Sequence, residues 1–229
     1  IILVFLYLIY EELISKKQYR EIVQEFSEKY KYQLEFYEIN GLYRSDKKEI
    51  FRVINKYIDQ SIFLIPLKDI SDQIHNLVWI KNVNLSTNLK NKLRIEILEY
   101  EPIGLYLFNN QTFYFSKEGK IIDKFDNILD QKFIVFSGKY SLNYANKLLN
   151  IVNKLDQPEL IKIKEANYIN DRRWNLKFLN EITVFLSEKN IETSLINYIK
   201  LIKELKENEI LSIKSIDLRN DKKAIINFK

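Results

Sequence analysis

The sequence offers few side chains that could perform catalysis or bind a metal. His75 is the only histidine and there is no cysteine, so neither a two-histidine site nor a thiolate site can form. A serine–histidine–acid arrangement around His75 is formally possible, but no serine flanked by glycines marks a nucleophile elbow. The four glycines form no phosphate-binding loop. Glu99 and Glu101 could act as paired carboxylates, although acidic residues at a strand end are usually just solvated. We therefore expect no enzymatic activity, no cofactor and no metal, and interpret His75 as a polar residue at a helix edge.

The most distinctive polar–aromatic cluster is Arg172-Arg173-Trp174. Arginine and tryptophan are enriched among the residues that dominate protein interfaces, so these side chains on an exposed strand would favour partner binding. The alternative is that Trp174 belongs to the core, while the arginines stack on nearby tyrosines or pair with Asp171. Both interpretations require a strand to hold the cluster.

Two stretches near the C-terminus predict the hairpins that would position these residues. In RRWNLKFLNEITVFL (172–186), apolar and polar residues alternate on both sides of a short polar break. In SIDLRNDKKAIINF (215–228), the same alternation surrounds a polar turn at residues 220–223. We expect the last stretch to be a strand at a sheet edge, with unpaired N–H and C=O groups.

Composition limits the class of protein. The 229 residues could form one large domain or two small ones, and 46% hydrophobic with 29% charged residues indicates an ordered globular chain. The net charge of +5 is mild, and basic residues are interspersed with acidic ones in runs of no more than two. Nucleic-acid binding is therefore disfavoured, because such proteins concentrate their basic residues on one surface.

The first ten residues, IILVFLYLIY, contain no charged side chain. Spanning a bilayer as a helix takes about 20 apolar residues, so this run fits the remnant of a truncated transmembrane helix. A buried first strand and a signal-peptide remnant are the alternatives. Residues 11–30 then show apolar positions at helical spacing among charges, which predicts an amphipathic stalk.

The remaining pattern divides into two parts. A strand at 34–39 ends at Asn40-Gly41, a pair suited to positive φ, and Ser45 or Asp46 can cap the helix that follows. A second helix near Pro66 and strands at 79–85 and 92–98 complete this part. Beyond residue 103 the sequence predicts hairpins and helices on an antiparallel sheet, with strands at 104–108, 112–116, 133–138 and 160–169 and helices at 141–155 and 193–207.

These motifs resemble a known family. The strand–helix–helix–strand–strand order, with the phrases Ile39-x-Gly41, Trp79-Ile80-x-x-Val83 and Glu99-x-x-Pro102, resembles a POTRA domain. The Arg-Arg-Trp hairpin, a helix of about four turns and the Ile-Asp-Leu-Arg strand resemble the C-terminal domain of the bacterial cell-division proteins FtsQ/DivIB. The resemblance implies an α+β protein with a transmembrane helix remnant and juxtamembrane stalk at 1–31, a β-α-α-β-β POTRA domain at 32–101 and a C-terminal β domain at 102–229.

The resemblance also implies a function. We expect a non-enzymatic divisome scaffold in septum assembly, single-pass in the bacterial inner membrane, mostly periplasmic and located at the division septum. FtsB-like and FtsL-like partners would bind at the C-terminal edge strand, and other division proteins at the POTRA domain. The alternative is a POTRA-bearing secretion or outer-membrane transport component that binds substrate strands.

The expected partner-binding residues lie in the two C-terminal hairpins, and they are Arg172, Arg173, Arg219, Asn220, Lys222, Lys223, Ala224, Ile225, Ile226 and Phe228. The family often has an aromatic residue after the arginine of the Asp-Leu-Arg strand, whereas this sequence has Asn220. Lysines on edge strands normally discourage pairing, so we expect acidic groups on the partner opposite Lys222 and Lys223.

Overall fold

The computed structural model describes residues 16–125, 133–155, 162–220 and 222–229. The chain divides into two compact units, Ile1–Tyr100 and Glu101–Lys229. The apolar run at residues 1–10, interpreted above as a membrane-helix remnant, lies outside the described residues. Within the described ranges, no helix is both long and apolar enough to cross a membrane.

Within its described residues, 16–100, the first unit contains three helices and a three-stranded sheet. Its elements are α1 (Lys16–Tyr30), β1 (Phe36–Asn40), α2 (Lys47–Ile54), a 3₁₀ turn (Asn55–Tyr57), α3 (Leu67–His75), β2 (Ile80–Thr87) and β3 (Lys92–Glu99). The strand order is β1-β3-β2, with β1 parallel and β2 antiparallel to the central β3. The predicted strand–helix–helix–strand–strand order is confirmed.

Local sequence explains where these elements begin and end. The carboxylate of Asp46 accepts a hydrogen bond from the Lys48 N–H at 2.8 Å, and it thereby caps α2 as predicted. Gly41 has a φ of 86°, and a Cβ atom there would lie 2.0 Å from the carbonyl oxygen of Ile97. Only glycine meets both requirements, so the turn after β1 fixes how closely the chain approaches β3.

The described residues of the second unit form a nine-stranded sheet with helices packed against it. Its elements are β4 (Pro102–Phe108), β5 (Gln111–Ser116), β6 (Ile121–Lys124), β7 (Val135–Ser137), α4 (Ser141–Asn153), β8 (Ile163–Ile169), β9 (Arg173–Phe178), β10 (Thr183–Leu186), α5 (Ile191–Glu204), α6 (Glu207–Ser212), β11 (Ile213–Asn220) and β12 (Lys223–Phe228). The strand order is β12-β11-β10-β9-β8-β7-β4-β5-β6.

The α+β class is confirmed, but the sheet is mixed, whereas an antiparallel sheet was predicted. The β4/β7, β7/β8 and β10/β11 pairs are parallel. Helix α4 joins β7 to β8, and α5 with α6 joins β10 to β11, so each connection returns the chain to run in the same direction. The two predicted C-terminal hairpins, β9/β10 and β11/β12, are antiparallel as expected.

The core of this unit lies between the sheet and helices α4 and α5. Trp174, Leu176 and Phe178 of β9 point into it and are buried, whereas Arg173, Asn175 and Lys177 alternate onto the opposite face. Ser194 of α5 donates to the carbonyl oxygen of Leu218 at 3.2 Å, which ties the helix to β11. Helix α5 therefore holds β11 in place, and β12 pairs with β11.

Candidate protein-binding edge at the last strand

Strand β12 is the outermost strand at one end of the nine-stranded sheet. It pairs antiparallel with β11, with Ile226 opposite Ile216 and Ile225 opposite Asp217. Within the part of the chain that the structure describes, no strand pairs with its outer side. An open edge of this kind can accept an added strand from another chain.

The direction of the backbone groups along β12 follows from one hydrogen bond. The N–H of Lys229 donates to the carbonyl oxygen of Ser212 at 2.9 Å, so it points toward the β11 side. The register shifts of this pair place the extra residues on β11, so β12 itself alternates regularly. Successive residues of a strand present their N–H groups to opposite sides. The N–H groups of Ile226 and Phe228 therefore point outward, and that of Ile225 points toward β11.

The side chains of β12 are mostly exposed. Ile225 and Phe228 are 59% and 61% exposed, although both are large and apolar. Ile226 is half-buried and packs against the core, and Asn227 donates from its side chain to the Ser215 hydroxyl at 3.0 Å. Ile226 therefore holds the strand in place, while Ile225 and Phe228 offer apolar surface on opposite faces of it.

An ion pair on β11 lies beside this apolar surface. Arg219 donates from Nε to both carboxylate oxygens of Asp217 at 2.9 Å. Its guanidinium lies 6.0 Å from the ring centre of Phe185 on β10, within the range of a cation–π contact. Hydrogen bonds from Arg219 lower the pKa of Asp217 against the opposing effect of burial, and the charge of Arg173 lowers it further.

The turn between β11 and β12 carries the lysines. The side-chain oxygen of Asn220 accepts from the Lys222 N–H at 2.9 Å, so Asn220 stabilises the turn instead of offering an aromatic surface. Lys222, Lys223 and Ala224 are exposed. A shallow depression of about 330 Å³ beside this turn is lined by Asp217, Arg219, Asn220, Lys223 and Ile225.

The structure separates the two neighbouring arginines. Arg172 is exposed immediately before β9, with its Nε 3.9 Å from a carboxylate oxygen of Glu188, and it lines a cavity with residues of α4. Arg173 lies on the opposite face of the sheet, where its charge reaches Asp217. Its Nε is buried and has no hydrogen-bond partner within the described residues. Arg173 is therefore close to the Asp217–Arg219 pair, whereas Arg172 is not.

Comparison with known proteins identifies the family. Residues 106–219 match the family described as cell division protein FtsQ/DivIB, C-terminal, and residues 37–100 match the FtsQ-type POTRA domain. The chain is 33% identical over 200 residues to the cell division protein FtsQ of Rickettsia bellii (strain RML369-C), covering 85% of this chain and 72% of that protein. It is 32% identical over 209 residues to FtsQ of Rickettsia prowazekii (strain Madrid E), covering 89% and 75%. The chain belongs to the FtsQ/DivIB family.

A solved structure of the same family is also similar. It is the major extracytoplasmic domain of the division protein DivIB from Geobacillus stearothermophilus, at 14% identity and a TM-score of 0.34. The match covers 47% of this chain and 98% of the DivIB chain.

The geometry of this FtsQ/DivIB family member brings most of the expected residues together. Arg219, Asn220 and every expected residue from Lys222 to Phe228 lie on the β11/β12 hairpin. Strand β9, which follows Arg172, is three strand positions from β12, or about 14 Å. Asp217 and Phe185 were not predicted as neighbours of Arg219. The alternation of Asp217 and Arg219 along the strand was a usable signal, because it places both side chains on one face.

Glu99 and His75 are among the other residues considered for catalysis or metal binding. Glu99 accepts hydrogen bonds from the N–H groups of Arg44 and Ser45 at 2.8 and 2.9 Å. Burial raises the pKa of Glu99, but these hydrogen bonds outweigh burial and the net pKa is lowered. His75 is exposed at the end of α3. No group of three potential metal ligands occurs within the ranges that the structure describes.

Proposed function

We propose that this FtsQ/DivIB family member is a non-enzymatic scaffold of the divisome. It links early and late division proteins during septum assembly through protein–protein contacts. The observation that carries the proposal is the open edge of β12, where N–H groups of Ile226 and Phe228 point away from the sheet. An added strand would satisfy these groups and extend the sheet by one strand.

The proposed partner at this edge is an FtsB-like protein, with an FtsL-like protein joining through it. Backbone hydrogen bonds would supply much of the affinity, and Ile225 and Phe228 would supply apolar contact on either side of the strand. Lys222 and Lys223 border the edge and are exposed. Acidic side chains on the partner would therefore strengthen the encounter and fix its direction.

The Asp217–Arg219 pair contributes to the specificity of this edge. Because Arg219 is already bonded to Asp217, it is held over Phe185 and keeps a fixed position beside Ile225. A preorganised side chain loses less conformational freedom on binding than a mobile one. We therefore assign Arg219 to positioning and contact at the edge of the interface.

The proposal also includes attachment to the membrane and recruitment. The apolar residues 1–10 would anchor the chain in the bacterial inner membrane as part of a single transmembrane helix, with the bulk of the chain in the periplasm. The POTRA domain would contact other division proteins, and the protein would accumulate at the septum.

Capture of the full chain from solubilised membranes tests the function. FtsB-like and FtsL-like proteins should copurify, and a full-length fluorescent fusion should concentrate at the division site. A carbonate wash should leave the protein with the membranes. A fusion spread evenly over the cell, with neither partner captured, would contradict the scaffold role.

A further inference from the structure

Helix α1 carries an exposed apolar stripe that the proposed partner edge does not use. Tyr19, Ile22, Phe26 and Tyr30 are 51%, 58%, 49% and 52% exposed. At about 100° of rotation per residue, these four positions fall within an arc of about 80°. The stripe therefore forms one continuous side of the helix.

The stripe continues into an aromatic patch on the body of the first unit. The ring centre of Phe26 lies 4.7 Å from that of Tyr30 and 6.1 Å from that of Tyr32. Tyr32 in turn lies 5.5 Å from Phe63, which is 50% exposed. Contiguous exposed apolar surface of this kind usually marks an interaction site.

Polar contacts between α1 and residues 59–61 fix the orientation of the stripe. Ser27 is fully buried, and its hydroxyl lies 2.7 Å from that of Ser61. The side chain of Gln24 accepts from the Ser61 N–H at 2.8 Å and donates to the Asp59 carbonyl oxygen at 3.2 Å. Rotating α1 to bury the stripe against its own unit would break these bonds, so the stripe needs an external partner.

The charges around the stripe indicate the chemistry of that partner. Lys16 and Lys29 are exposed and flank the stripe, and the Lys29 ammonium lies 5.5 Å from the ring centre of Tyr30. Glu21, Glu25 and Glu28 all lie more than about 100° around the helix from the centre of the stripe. Aromatic and aliphatic side chains bordered by lysines, with acidic groups turned away, suit a helix that lies on an anionic membrane surface.

The same charges disfavour a second copy of this chain as the partner. Lysines occur near both ends of the stripe, at Lys16 and Lys29. Parallel pairing of two stripes would place each lysine near its own counterpart, and antiparallel pairing would place Lys16 near Lys29. Like charges would meet in both arrangements.

We propose that the α1 stripe of Tyr19, Ile22, Phe26 and Tyr30 docks on the anionic lipid surface of the membrane, with Lys16 and Lys29 contacting headgroups. The inference rests on the membrane attachment in the proposed function, which places α1 within six residues of the apolar run. The docked helix holds the first unit against the bilayer in one orientation.

A single-label experiment on the full chain tests this inference. The chain has no cysteine, so Ile22→Cys provides one site for an environment-sensitive fluorophore, and Glu21→Cys provides a matched site one residue away on the other side of α1. Each labelled chain is reconstituted into vesicles of phosphatidylethanolamine and phosphatidylglycerol containing a nitroxide-labelled lipid. Vesicles of phosphatidylcholine are the neutral comparison.

The label at position 22 should be quenched in the anionic vesicles, with little quenching at position 21. Lys16→Glu and Lys29→Glu should each reduce the ratio of docked to undocked helix by at least about fivefold, and raised salt should act in the same direction. Equal quenching at both positions, or equal quenching in both lipids, would overturn the inference. Vesicle-bound protein without quenching at position 22 would overturn it while leaving the membrane anchor intact. A position-22 signal that depends on protein concentration instead of lipid would assign the stripe to a second copy.

Discussion

The guanidinium of Arg219 is bonded to the carboxylate of Asp217, two residues earlier on the same strand. Both side chains lie on the face of β11 that also carries Ile225 across the β11/β12 pair. Asp217 is only 14% exposed, whereas Arg219 is 51% exposed. The inner partner is thus shielded, and the outer partner is available to a bound protein.

The pair predicts a specific dependence of stability on pH. Because the pKa of Asp217 in the folded protein is lower than its ordinary value, chiefly through hydrogen bonds from Arg219, the ionised pair stabilises the fold at neutral pH. That contribution is complete above the unfolded-state pKa of about 4 and is lost as the pH falls through the folded-state pKa. Asp217→Asn should therefore lower the free energy of unfolding by up to about 1 kcal/mol at neutral pH. Urea unfolding at neutral pH and near pH 2 measures the change.

Arg219→Gln is the matched control for that experiment. It removes the same pair, so its effect should not add to that of Asp217→Asn in the double variant. An equal loss of stability in Asp217→Asn at both pH values would show that the ion pair contributes nothing.

Partner binding should depend on the outward N–H of Ile226. Proline at this position removes that N–H, and the edge position spares the ladder to β11. Ile226→Ala is the matched control, because it loses the same core packing but keeps the N–H. We expect Ile226→Pro to weaken copurification of the FtsB-like partner far more than Ile226→Ala does.

Circular dichroism and a thermal melt must first establish that both Ile226 variants fold. Phe228→Pro against Phe228→Ala repeats the comparison at a second outward N–H, where the side chain is 61% exposed and little packing is lost. Folded proline variants that retain full binding at both positions would place the partner site elsewhere.

Charge reversal at the turn should have a smaller effect that depends on salt. Lys222 and Lys223 are exposed at the border of the proposed edge, and border charges mainly change the rate of association. Lys222→Glu and Lys223→Glu should each slow association with an acidic partner, and the difference from the unmodified chain should shrink as salt is raised. Surface-immobilised kinetics measures both rates. A change confined to the dissociation rate would contradict a steering role for these lysines.

The two units should fold independently. The connection between β3 and β4 consists of residues 100–101 only. Separately expressed fragments therefore test independent folding more directly than limited proteolysis at this junction does. Residues 16–100 and 101–229, expressed separately, should each unfold in one cooperative transition with the secondary structure expected for that part. A fragment that remains unfolded alone, but folds when mixed with the other, would argue against separate domains at this boundary.

Sequence alternation predicted the hairpins well because each strand buries one face. The burial of Trp174, Leu176 and Phe178 against half-exposed Arg173, Asn175 and Lys177 follows directly from period-two spacing. The same spacing already implied that Arg172 and Arg173 point to opposite faces. It could not predict the parallel β10/β11 pair, because alternation within one strand carries no information about which strand lies beside it.

Three other features could not be predicted from the sequence either. Helix α6 has six residues, too few for a helical period to be recognised. The α1 stripe was visible as amphipathic spacing, but which apolar side chains remain exposed depends on how Ser27 and Gln24 dock the helix. The exposure of Ile225 likewise depends on β12 having an outer position in the sheet.

The turn after β1 provides the last prediction. Gly41 has a φ of 86°, and an added Cβ would lie 2.0 Å from the backbone oxygen of Ile97, which cannot move without disturbing the central strand. The left-handed conformation alone costs about 1–2 kcal/mol for a residue with a Cβ. Gly41→Ala should therefore lower the free energy of unfolding of the fragment 16–100 by more than about 2 kcal/mol. Denaturant unfolding of that fragment measures the loss.

Gly119→Ala in the fragment 101–229 is the comparison that separates the two causes. Gly119 has a similar φ of 79°, but its added Cβ would meet its nearest neighbour, the Leu142 oxygen, at 3.1 Å. A shift of a few tenths of an ångström relieves that contact. The loss of unfolding free energy in Gly119→Ala should therefore approach the cost of the backbone conformation alone. Equal losses in the two variants would mean that the Ile97 contact relaxes freely and that the turn does not set the spacing between β1 and β3.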